Sequence, residues 1–152
     1  MAIPAGFKGF TPAQAAKFAG LTFRTVDHWD RSGMIIPSLL QSRGRGETRA
    51  YSFADLVALR VAAELRNIGI TVQSVRKVVD YLRQRDGSLS PLSSTLIVTD
   101  GVDVYEPRTD DELLSLLREP RQGTIKVTLD LKKTVDDLTS MIEEKIETQK
   151  TA

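Results

Sequence analysis

Between Thr11 and Gly33 the chain places two helix starts and two helix stops in one short stretch. Thr11-Pro12-Ala13-Gln14 is a strong start: Thr11 can cap free backbone N–H groups, Pro12 suits the first helical position, and Gln14 can reach back as a capping-box partner. Ala15, Ala16, Phe18 and Ala19 make the helix apolar, and Gly20 ends it. Leu21-Thr22 is a tight link, with Thr22 the next cap. A second helix is predicted from Phe23 to about Arg31, stopped by Ser32-Gly33. Two short helices joined by a Gly-containing turn at this spacing are a helix-turn-helix signature.

Met34-Ile35-Ile36-Pro37 reads as a short buried strand. Gln41-Ser42-Arg43-Gly44-Arg45-Gly46-Glu47-Thr48-Arg49 is polar, and its arginines and glycines fit a β-hairpin wing. Ser52 is the expected cap of a third helix, with Asp55 at the positive end of its dipole. Leu56, Val57, Val61, Leu65 and Ile68 keep a helical period through it. Asn67-Ile68-Gly69 ends that helix, and Thr71 caps a fourth. The fourth buries Val72, Val75, Val78, Val79 and Leu82 on one face. Arg83 and Arg85 are read as its solvated face.

The run Thr11 to Ala16, Gly20-Leu21-Thr22-Phe23-Arg24-Thr25-Val26, Trp29 to Ile35 and Pro37, then Arg49-Ala50-Tyr51-Ser52, Asp55-Leu56 and Leu65 to Ile70, resembles the MerR-type winged helix-turn-helix over about residues 10–85. The resemblance implies a DNA-binding winged helix that works as a dimer. Its second helix would enter the major groove, and its wing would lie on the flanking backbone or minor groove. The residues themselves agree. Arg bonds guanine in bidentate fashion and Thr reaches a base edge or phosphate. Wing arginines suit phosphates or a narrow minor groove. The expected DNA-binding set is therefore Thr22, Arg24, Thr25, His28, Arg31, Arg43, Arg45 and Arg49.

Each neighbour has a plainer reading as well. Trp29 is read as a core anchor rather than a base-stacking ring. His28 either donates to DNA or is a solvated surface residue. Asp27 stands where many family members carry Arg. It either reads a cytosine amino group or orients Arg24 or Arg31.

Charge and ring content change along the chain. Up to residue 86 there are 13 Lys and Arg against 7 Asp and Glu; from 87 onward there are 8 against 13. Eight of the nine aromatic residues lie at or before Tyr81. The expected division is a DNA-binding domain over 1–86 and a small acidic domain over 87–152, with the seam at the turn-rich segment from Asp86 to Pro91. The second half reads β-β-α-β-α. Strands are expected at Ser94–Thr99, Val102–Tyr105 and Thr124–Leu129, with a hairpin turn at Asp100-Gly101. A capped helix should follow Thr109, through Leu113 to Leu117, and a last helix should span about Lys132 to Thr148. Val135, Leu138, Ile142 and Ile146 line one stripe of that helix. A domain of about 60 residues is too small to cover all its own apolar faces, so the stripe is expected to pair two copies; the other reading is that it packs onto the domain's own three strands, leaving a monomer that pairs only on DNA. The overall class is α+β.

No Cys is present and His28 is the only His. Disulfides, thiolate metal sites, Cys nucleophiles and His-rich metal sites are excluded, and no cofactor is expected. No catalytic constellation stands out, so an enzyme is not expected. No apolar run is long enough to span a membrane, and the N-terminus does not read as a signal peptide. A cytoplasmic, nucleoid-associated protein is expected. The leading reading is a sequence-specific double-stranded-DNA-binding transcription regulator, a repressor acting as a homodimer. The alternative is an autoregulatory antitoxin whose acidic half neutralises a toxin.

Overall fold

The computed structural model describes residues 9–41, 49–84, 96–99, 104–105, 109, 111 and 127–151. Four helices build the first half: α1 (Pro12–Ala19), α2 (Phe23–Arg31), α3 (Phe53–Asn67) and α4 (Val72–Gln84). Each begins at an expected cap. The Thr11 hydroxyl accepts from the Gln14 N–H, and the Gln14 side chain accepts from the Thr11 N–H, a reciprocal pair. Ser52 and Asp55 form the same box on α3. The Thr71 hydroxyl accepts from the Ser74 N–H at the start of α4. Gly20 takes the left-handed conformation (φ 74°) that closes α1.

Helix α3 is the hub. Leu56, Val57, Leu59, Val61, Ala62 and Leu65 are all buried, because α1, α4 and the last helix of the chain pack on it. A helix apolar nearly all round has to be enclosed in this way. Met34 and Ile35 are buried as expected, but they form no strand. Their N–H groups turn back to the Trp29 carbonyl (3.0 and 3.2 Å), so the segment closes α2 instead of pairing with another chain segment.

The second half contains β3 (Leu96–Thr99), β4 (Val104–Tyr105) and β5 (Val127–Asp130) in one antiparallel sheet, ordered β4-β3-β5. Helix α5 (Leu131–Thr151) follows β5 directly. It starts earlier than periodicity suggests because the Asp130 carboxylate accepts from the Lys133 N–H (3.1 Å) and turns strand into helix at once. The turn at Asp100-Gly101 and the helix expected from Leu113 to Leu117 lie outside the described residues.

The stripe on α5 is covered from within the chain. Leu138 and Ile142 are buried within this one chain, and Val135 is half-buried. They pack into the same apolar cluster as Phe18, Leu59 and Leu65 of the first half. The Ile146 side chain lies outside the described residues. The Arg60 guanidinium reinforces the contact, donating to the Phe18 carbonyl (2.8 Å) and to the Met141 sulfur (3.5 Å). The Lys145 ammonium sits 5.5 Å from the centre of the Phe18 ring. Within this chain α1 and α3 cover Leu138 and Ile142.

Candidate nucleic-acid interface

Helix α2 is anchored by one face and presents the other. Val26 and Trp29 are buried against the core, while Arg24, His28 and Arg31 are exposed. Thr22 caps the helix by accepting from the Thr25 N–H (3.1 Å), and the two hydroxyls lie 3.0 Å apart. Both threonines therefore stand at the N-terminal end of α2 beside Arg24. Trp29 is a core residue, as read from the sequence. Asp27 orients a neighbour: its carboxylate accepts from Arg31 Nε (2.9 Å) and from Arg49 Nη1 (2.8 Å). The hydrogen bond from Arg31, helped by Arg49, holds the Asp27 carboxyl below its usual range.

Arg49, expected among the wing cations, is turned inward in this chain. The sequence puts it on DNA as a wing cation. Its side chain is only 3% exposed and points inward, with Nη1 donating to Asp27 and to Asp30, whose own side chain is fully buried. The physical reason is the buried Asp30 carboxylate, which needs a cation beside it. Two acids three residues apart on α2, facing the strand that returns from the wing, were the available signal.

The wing is a two-stranded hairpin, β1 (Leu40–Gln41) with β2 (Arg49–Ala50), in the register Leu40↔Ala50 and Gln41↔Arg49. Arg43 and Arg45 lie between these strands, outside the described residues. The base of the wing is tied down on both sides. On the entry side the Ser38 N–H and hydroxyl both donate to Asp55 Oδ2 (2.8 Å each). Arg83 stays exposed, as expected, and also donates to Asp55 Oδ1 (3.2 Å) and to the Ile36 carbonyl (3.4 Å). On the exit side Tyr51 pairs with Phe10 through two 2.8 Å backbone bonds. Gly9 adopts φ 103°, where an L side chain is strained, and an added Cβ would crowd Ala50 Cβ (3.0 Å) and the Tyr51 carbonyl (3.1 Å), which favours glycine there.

Residues 10–82 match the model of the MerR HTH family regulatory proteins. This stretch is a MerR-type helix-turn-helix region. A protein of Mycobacterium tuberculosis named as an uncharacterized HTH-type transcriptional regulator is 34% identical over 116 residues, 76% of this chain and 51% of its own. The HTH-type transcriptional activator TipA of Streptomyces coelicolor is 35% identical over 71 residues, covering 47% of this chain and 27% of its own. The HTH-type transcriptional activator mta of Bacillus subtilis is 31% identical over 68 residues, 45% and 25%. The chain thus spans about half the length, or less, of the curated relatives it matches.

The MerR-type region carries every exposed cation described on α2, and the matched family is regulatory, not catalytic. Among the described residues, no group of His, Cys, Asp and Glu is placed to hold a metal, and no helix is long and apolar enough to cross a membrane.

Proposed function

We propose that the chain binds a specific double-stranded DNA sequence through α2 and the wing, and regulates transcription there as a homodimer. The observation that carries this is the single exposed face of α2: Arg24, His28 and Arg31 project beside Thr22 and Thr25, while Val26 and Trp29 hold the helix in place. In this reading α2 enters the major groove, where Arg24 reads a base edge. Arg31 meets a phosphate, with its free guanidinium nitrogens left by the bond from Nε to Asp27. Arg43 and Arg45 add phosphate contacts from the wing. Residues 1–86 carry these contacts, and 87–152 form the second, dimerisation or partner-binding, domain.

One short helix contributes little contact area, so two copies on a repeated site supply useful affinity. Their contact would use a surface other than Leu138 and Ile142. The proposed sign is repression, which asks of the protein only that it occupy its site.

The test selects duplexes from a random pool with the full chain and measures binding to the winner. Specific binding should exceed non-specific binding by at least ~10³. Changing Arg43 and Arg45 to Ala should lower the salt dependence by ~0.9 in log–log slope for each phosphate that is no longer neutralised. Sedimentation should find two chains on each duplex, and a reporter carrying the site should be repressed. A pool that yields no enriched sequence would overturn the reading.

A further inference from the structure

The first residue of α2, Phe23, is 51% exposed, although most large apolar side chains described in the first half are buried. The anchoring of α2 does not need it, since Val26 and Trp29 do that. Leaving half a phenyl ring in water carries a cost. The ring is nevertheless held in place. The guanidinium carbon of Arg49 lies 5.8 Å from its centre, and that guanidinium is itself fixed by Asp27 and Asp30. One side of the ring therefore rests on a buried, immobilised cation. Helical spacing puts Phe23 on the same side of α2 as Asp27, toward the wing, next in sequence to the exposed Arg24.

We propose that Phe23 is a specificity-determining residue that recognises the C5 methyl group of a thymine in the major groove. The inference rests on the proposed docking of α2. Residues at the N-terminal end of a recognition helix are the ones that reach base edges. Among the base edges exposed in that groove, the thymine methyl is the apolar group, and aromatic side chains contact it. Phe23 thus selects thymine beside the base read by Arg24. It does so by removing a methyl group and a phenyl face from water together, with no hydrogen bond involved.

The experiment uses the full chain and the duplex it selects. Each thymine of the site is replaced in turn by uracil, which removes the methyl group and leaves every hydrogen-bonding atom. In the wild type, one thymine per half-site should lose about fourfold in affinity on replacement, the worth of one buried methyl group. In Phe23→Ala the same replacement should cost nothing, because the partner is gone. The salt slope of Phe23→Ala should match the wild type, since no charge has been removed. A changed slope would assign the loss to displaced cations and overturn the proposal. So would a site at which uracil is tolerated everywhere, or a uracil penalty that persists in Phe23→Ala. Those outcomes leave the DNA-binding reading standing. Failure to select any duplex removes both.

Discussion

Arg49 Nη1 lies 2.9 Å from a carboxylate oxygen of Asp30, and both side chains are buried. This pair joins the returning strand of the wing to the second helix. The two elements that would touch DNA are therefore fixed relative to each other from inside the protein. Breaking a buried pair leaves an uncompensated charge, at a cost of ~3–5 kcal/mol. Arg49→Ala should lower the stability in urea by that order. The double variant with Asp30→Ala should lose less than the sum of the two single changes. An Arg49→Ala protein as stable as the wild type would refute this placement.

Asp27 links pH to the same network. Hydrogen bonding from Arg31, and then from Arg49, depresses its carboxyl below the ordinary 3.8. A depressed carboxylate stabilises the fold above its unfolded value, and that contribution disappears as pH falls through the folded value. The wild type should therefore exceed Asp27→Asn in urea midpoint near neutral pH, and the gap should close on acidification below 3.8. A gap that is constant with pH would show that Asp27 acts by shape and not by charge.

Tyr51 presents the opposite case. It is fully buried, and among the described residues its hydroxyl has no hydrogen-bond partner. Burial, with the nearby Asp30 charge, pushes its ionisation up to about 12 from 10.0. Removing an unsatisfied buried hydroxyl should help, so Tyr51→Phe should gain about 1 kcal/mol. Because the folded value is raised, the wild type loses stability as pH climbs from 10.0 to about 12. Tyr51→Phe should lack this part of the alkaline decline. A destabilised Tyr51→Phe would mean that the hydroxyl has a partner.

Leu138 tests whether the two halves share a core. Large-to-small changes at such sites cost ~2–5 kcal/mol. Trp29 is the only tryptophan and sits in α2, so its fluorescence reports on the first half. Leu138→Ala should lower the unfolding midpoint seen by Trp29 fluorescence and by far-ultraviolet dichroism equally. A Trp29 transition that does not move would separate the halves.

Arg24 tests the exposed face of α2 alone. Arg24→Ala should weaken binding to the selected duplex by ~1–3 kcal/mol and relax preference at one base pair. Its urea midpoint should match the wild type, because the side chain is exposed. Unchanged affinity and preference would take Arg24 out of the readout.

Much of this protein is legible in the sequence, because the signals involved are short-range. Thr11, Thr22, Ser52 and Thr71 each cap a helix by bonding an N–H three residues on. Apolar spacing set which face of α2 is buried, which left Arg24, His28 and Arg31 outside. Tertiary structure alone decided matters that depend on residues far apart. Arg49 reads as one more wing cation until Asp27 and Asp30, 22 and 19 residues away, are brought beside it. Arg83 is legible as a surface charge, but its buried partner Asp55, 3.2 Å away, is not. The stripe on α5 announces only that it must be covered. Periodicity cannot say by what, since an apolar face is satisfied equally by a second copy or by the chain's own helices. The packing of α5 on α1 and α3 answered that within one chain.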